Sequence, residues 1–247
     1  MSRHSKWSKI KNQKGGADQK RAAMFTKLSR MVTIAARGGG DPAANFKLRL
    51  VIDTAKSASM PKDTIERAIA KGTGADKEGA QLIEETYEGF GPGGTAFIVE
   101  VVTDNKNRAY QEVRKAFMTH GGNLGSPGSV SWMFEHKGVI RLRTEEPKNK
   151  STEEMEMQLI DAGADDIAIE EEGITIYTKS DELKAVEEKI RALGFTPESA
   201  GLEWVAKEKV AQSVIPSEAE GSRAQLEALQ DALDEMEDAS EYYTNAV

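Results

Sequence analysis

Lys6, Lys9, Lys11 and Lys14 alternate with Trp7, Ile10 and polar residues near the start of this 247-residue chain. Lysines spaced in this way can neutralise successive phosphates and release condensed counterions, and an indole among them can stack on an unpaired base. The alternative is a solvated tail with Trp7 packed on the following helix. Charge is also unevenly placed. Residues 1–72 carry 16 Lys and Arg against 5 Asp and Glu, a net of +11, while residues 73–247 carry 17 against 36, a net of −19. A basic head on an acidic body suits a head that meets a polyanion and a body that repels non-specific contact.

Other chemistries find less support. Gly89, Gly91 and Gly94 satisfy the dinucleotide-binding spacing G-x-G-x-x-G. A phosphate cradle needs a helix directly after its glycines, however, and Thr95 to Val102 reads as a strand, so a hairpin turn is the better account. The three histidines, His4, His120 and His136, stand in unrelated contexts, with no cysteine and no G-x-S-x-G elbow in the chain. His120 precedes Gly121 and Gly122, which suits a helix C-cap. The acidic stretches Glu170–Glu172 and Asp231–Asp238 read as solvated surface. The expectation is therefore a non-enzyme with no catalytic residue, metal, cofactor or small-molecule substrate. With 38% apolar and 30% charged residues the chain should fold, and its longest apolar run, Ala96 to Val99, is too short to cross a membrane. A cytoplasmic protein is expected; an organelle transit peptide is the weaker reading of the basic N-terminus.

The elements that would carry the basic residues are helical. Phe25, Leu28, Val32 and Ala35 recur at spacings of three and four, which predicts a helix over Lys20 to Arg37. At about 100° per residue, Lys20, Lys27, Arg30 and Arg37 fall on the side opposite that stripe. Gly38–Gly40 end the helix, and Asp41 with Pro42 supply the N-cap and first position of a second, running to about Ala58 with Leu48, Val51, Ile52 and Ala55 inward. Lys47, Arg49 and Lys56 then face solvent. A third helix opens at Pro61, turns Ile65, Ala68 and Ile69 inward and stops at Gly72. Residues 1–74 thus form an all-α domain.

Beyond Gly74 strands alternate with helices. Residues 82–130 offer two strands joined by a glycine turn, then a helix over Asn107 to Thr119 with Tyr110, Val113 and Phe117 inward. From Gly138 the order reads βαββαβ, the split βαβ arrangement of ferredoxin-like sheets. The C-terminus adds a helix striped by Leu226, Leu229, Leu233 and Met236, and a short strand around Tyr242 and Tyr243. The expected fold class is α+β, an N-terminal helical domain followed by two ferredoxin-like α/β domains, one inserted in the other. Residues 75–134 with 211–247 form the discontinuous domain and residues 135–210 the insertion.

Several strings resemble the YebC/PmpR family: His4-Ser5-Lys6-Trp7, Phe25-Thr26-Lys27-Leu28, Gly38 to Pro42, Met60 to Asp63, Tyr87-Glu88-Gly89, Gly91 to Ala96, Gly121 to Gly125 and Gly128-Ser129-Val130. The resemblance spans nearly the whole chain and is looser beyond Leu202. It implies three domains with one inserted in another, and a cytoplasmic DNA-binding transcriptional regulator. Other members, mitochondrial relatives among them, act in translation at the ribosome. Because the first motif begins almost at Met1, a bacterial-type member is expected. Asn12, Gly15 and Gly16 depart from the family pattern.

The candidate nucleic-acid contacts are His4, Lys6, Trp7, Lys9, Lys11, Lys14, Lys20, Arg21, Lys27, Arg30, Arg37, Arg49 and Lys56. DNA is the expected partner, ribosomal RNA the alternative, and a monomer the expected state. Reversing Lys27 and Arg30 to Glu is expected to abolish binding without unfolding the domain, since neither residue lies on the apolar stripe.

Overall fold

A computed structural model describes residues 17–74, 81–143, 152–170, 173–210 and 220–246. It is a mixed α+β structure in which, among the described residues, seven α-helices accompany two four-stranded antiparallel sheets. Helices α1 (Ala17–Ala36), α2 (Phe46–Ser57) and α3 (Lys62–Gly72) come first. Leu28, Val32, Ala35, Leu48, Ile52, Ala55, Ile65 and Ala68 share one core, with Phe25, Val51 and Ile69 partly buried at its margin. The N-cap of α2 is Asn45, not Asp41. Its side chain accepts from Leu48 N at 3.1 Å and donates to the carbonyls of Ala35 and Gly39, so one amide caps α2 and ties down the end of α1. Asp41 instead caps a turn ahead of the helix, accepting from Ala43 N at 2.9 Å.

Strands β1 (Ile83–Phe90) and β2 (Ala96–Thr103) form a hairpin, with Phe90 opposite Ala96. The turn between them needs glycine at Gly93 and Gly94, where φ is +68° and +75°. The G-x-G-x-x-G spacing is thus followed by a strand. Helix α4 (Lys106–Thr119) buries Ala109, Val113 and Phe117, while Tyr110, expected inward, is 40% exposed and meets Tyr87 at 5.8 Å between ring centroids. His120 is the C-cap of α4, followed by Gly121 at φ +77°. The short β3 (Asn123–Leu124) adds to β1.

The chain then builds a second sheet from β4 (Phe134–Arg143), α5 (Thr152–Ala162), β5 (Asp166–Glu170), β6 (Gly173–Lys179), α6 (Leu183–Ala192) and β7 (Ser199–Ala206). Its strand order is β5-β6-β4-β7, all antiparallel. Leu159 and Ala162 of α5 and Leu183, Val186 and Ile190 of α6 share a core with Ile140, Leu142, Ile174 and Ile176, so both helices cover the same sheet. Helix α7 (Glu220–Glu235) and β8 (Ala239–Thr244) return to the first sheet, whose order is β3-β1-β2-β8. Leu226, Leu229 and Leu233 of α7 are fully buried against Phe97, Val113 and Phe117.

Candidate nucleic-acid interface

The side of α1 opposite its first apolar stripe is not free. Lys27, expected outward, is 2% exposed, and its ammonium donates to the carbonyls of Leu233 at 3.3 Å and Asp234 at 2.6 Å. Those carbonyls belong to the last turn of α7, where the helix leaves its acceptors unpaired and its dipole favours a cation. Arg30 donates to Glu237 O at 2.8 Å and pairs with the Asp238 carboxylate. Arg37 reaches the carbonyl of Leu82 at 2.6 Å. Between them Ile34 packs with Leu82 and Val102. Residues 27, 30, 34 and 37 therefore form a second stripe at helical spacing that docks α1 on the acidic body. The long cationic stems bury while their heads reach polar partners, which is why hydropathy alone placed this face in solvent.

Asp238, expected in solvated surface, is instead buried and is the hub of that contact. Its side chain is 3% exposed and accepts from Arg108 at 2.9 Å and Thr103 Oγ1 at 2.8 Å as well as from Arg30. Burial acts to raise its pKa, yet the bonds from Arg108 and Thr103 and the Arg30 charge hold it below the ordinary aspartate value.

Arg49, also expected in solvent, crosses to the second sheet's helices. Its guanidinium lies 2.7 Å from the carboxylate of Glu187, which is fully buried on α6 and also accepts from Arg191 at 2.8 Å. The same guanidinium sits 5.0 Å from the Phe46 ring centroid, and Phe46 and Leu50 pack against the core beneath α6. Lys47 pairs with Glu84 of β1 at 3.1 Å. The helical domain is thus pinned to both sheets by its own cations. The expectation that Lys27 and Arg30 can be reversed without harm to the fold is corrected by this geometry: a carboxylate at position 27 would be buried against carbonyl oxygens.

Other candidates stand outward. Arg21 is exposed, and Lys56 is 67% exposed, 4.0 Å from Asp53. On α3, Lys62 is 90% and Arg67 74% exposed, paired with the exposed Glu66 and Asp63, Arg67 also donating to Thr64 Oγ1 at 3.2 Å, and Lys71 is exposed too. Such surface pairs hold their cations weakly. The apolar spacing of α3 marks its buried face, Ile65 and Ala68, and carries no signal for the cations on the other side. Lys20 lies in the first turn of α1; His4, Lys6, Trp7, Lys9, Lys11 and Lys14 lie outside the described residues.

A second surface feature lies on the loop after β3. The Glu88 carboxylate accepts from the backbone N–H groups of Gly128, Val130 and Ser131, each at 2.8 Å. Burial pushes its pKa up, but the three donors outweigh that and lower it. Behind this tied loop stands Trp132, 66% exposed. Its only sequence signal was an aromatic residue closing a run of Gly, Ser and Pro. Among the described residues no three His, Asp or Glu side chains are grouped to hold a metal ion, and no helix is long and apolar enough to cross a membrane.

Residues 5–75 match a family model for the TACO1/YebC protein N-terminal domain, and residues 82–246 match one for the TACO1/YebC second and third domain. A probable transcriptional regulatory protein of Fusobacterium nucleatum is 43% identical over 99% of this chain and 95% of its own length. One of Desulfosudis oleivorans is 44% identical over 100% of this chain and 96% of its own. A crystal structure of a conserved hypothetical protein from Aquifex aeolicus superposes with a TM-score of 0.81 at 40% identity, covering 98% of this chain and 97% of the other. Two domain models in sequence order and relatives matched almost end to end leave one assignment: the chain belongs to the TACO1/YebC family.

Proposed function

We propose that this protein is a non-enzymatic, cytoplasmic regulator of gene expression that binds DNA through its helical domain and acts as a monomer. The observation that carries the reading is the charge partition, +11 over residues 1–72 against −19 over the rest. The names of its relatives, probable transcriptional regulatory proteins, support the same class. The phosphate contacts fall to Lys6, Lys9, Lys11, Lys14 and Lys20, with His4 and Trp7 beside them, and to the outward Arg21 and Lys56. Lys27, Arg30, Arg37 and Arg49 hold the domain in place instead. We also read the sheet order β5-β6-β4-β7, with α5 and α6 on one face, as the ferredoxin-like arrangement.

The test is fluorescence anisotropy with labelled duplex DNA between 50 and 200 mM salt. The log of affinity should fall with the log of salt by about 0.9 per phosphate neutralised. Reversing Lys6, Lys9, Lys14 and Arg21 together should abolish binding with an unchanged melting temperature. An absence of binding to every polynucleotide at low ionic strength overturns the reading.

A second reading directs the same domain to ribosomal RNA. The exposed ring of Trp132, outside the helical domain, favours RNA as a target of the chain as a whole, since RNA recognition commonly stacks unpaired bases on aromatic rings. Co-sedimentation with ribosomes, lost in the same charge-reversed variant, would select RNA over promoter DNA.

A further inference from the structure

We propose that Trp132 is a stacking platform for an unpaired base of single-stranded nucleic acid, with Lys207 beside it for the phosphate, a second contact away from the helical domain. The proposal rests on the nucleic-acid reading above and adds a site to it. Trp132 sits in a single 3-10 turn, Ser131–Met133, between the glycine loop and β4. Its indole N–H donates to Ser129 O at 3.0 Å, so the ring is pinned at its polar edge while 66% of the residue stays exposed. Lys207 donates to Trp132 O at 2.9 Å, which ties a cation to the backbone of the same turn.

The surroundings suit a nucleotide strand. Gly125, Ser126, Pro127 and Gly128 are all exposed and carry no long side chain, so a sugar-phosphate backbone can approach the peptide closely. Gly128 adopts φ +89°, and a Cβ at Gly125 would lie 2.3 Å from Ser129 Oγ, so the loop's path depends on both glycines. Glu88 holds three of its amides, and Val130 is fully buried with Ala96, Ile98 and Phe134. The platform is thus ordered before any ligand arrives, which lowers the entropy lost on binding. The exposed indole follows a loop of small residues, Lys207 is tied to the Trp132 carbonyl, and the Glu88 carboxylate that holds this loop is already engaged by three amides. An aromatic face with a cation near it is what unpaired bases and their phosphates stack on and pair with.

The test uses the full chain and labelled ten-nucleotide oligo-dT and oligo-U, read by fluorescence anisotropy at low salt. Trp132→Ala should weaken single-strand binding by about fivefold or more, whereas Trp132→Phe should stay close to wild type because it keeps the ring. Duplex DNA, with its bases already stacked, should bind Trp132→Ala as it binds wild type. Melting curves confirm that both variants are folded. Equal losses in Trp132→Ala and Trp132→Phe would mean that the indole only braces the loop, and unchanged affinity in Trp132→Ala would mean that it faces another partner; either overturns the proposal while leaving the helical-domain reading intact. Failure of the wild-type protein to bind any polynucleotide would overturn that reading instead, and this one with it.

Discussion

The ammonium of Lys27 lies 2.6 Å from the carbonyl oxygen of Asp234, joining α1 to α7 across 207 residues of sequence. With Arg30 on Asp238 it turns a face that looks made for phosphate into an internal joint. Lys27→Met should therefore cost about 1–3 kcal/mol, the penalty for leaving buried carbonyls without a donor. Lys27→Glu should cost about 3–5 kcal/mol, since it buries an unpaired charge. Calorimetric melting of both variants checks this; a Lys27→Glu protein as stable as wild type would mean that the joint contributes nothing.

Glu100 predicts a pH dependence. It stands at the seam between the sheets, accepting from Trp204 Nε1 at 3.2 Å and from the Tyr243 hydroxyl at 3.5 Å. Burial, reinforced by Glu241, raises its pKa from 4.5 to about 7. A folded-state value above the unfolded one favours the protonated fold. Its contribution is complete below about pH 4.5 and is lost progressively as pH rises to about 7, by at most about 3 kcal/mol. Glu100→Gln, which cannot ionise and keeps an acceptor, should melt higher than wild type at pH 8, with the advantage shrinking toward pH 4.5. An advantage independent of pH would locate the raised titration elsewhere.

Glu88 should control the order of the glycine loop. Hydrogen bonds to a charged acceptor contribute about 1.5–3 kcal/mol each. Glu88→Ala should therefore speed amide exchange at Gly128, Val130 and Ser131 by on the order of tenfold or more, with little change at Val113 in the core. Because its folded pKa is lowered, this contribution is present above the unfolded value and is lost as pH falls through the folded one. Uniform acceleration across the domain would mean global destabilisation instead of loss of the tie.

Gly72 lies where α3 packs close against α1. A Cβ there would stand 2.2 Å from the carbonyl oxygen of Thr33 and 2.7 Å from the Ala36 Cβ. Gly72→Ala should cost about 1–3 kcal/mol by overpacking, more than the helix propensity it gains. A rise in melting temperature would show that the two helices separate freely.

Much of the architecture was legible in the residues themselves. Spacings of three and four placed α1, α2 and α3, and alternation with turn residues placed the six elements from β4 to β7 in order, because each depends on burying one face of a short local segment. The glycines at 91–94 announced a hairpin for the same local reason. Tertiary structure decided where the cations go. Lys27, Arg30 and Arg49 carry the same charge whether they face water, a phosphate, the end of α7 or a buried Glu187 on α6. Their acceptors lie more than a hundred residues away in sequence, and no local pattern encodes that meeting. Tyr110 faces outward and Asn45 caps α2 in place of Asp41 on the same principle, since a side chain's partner is set by which elements pack against it.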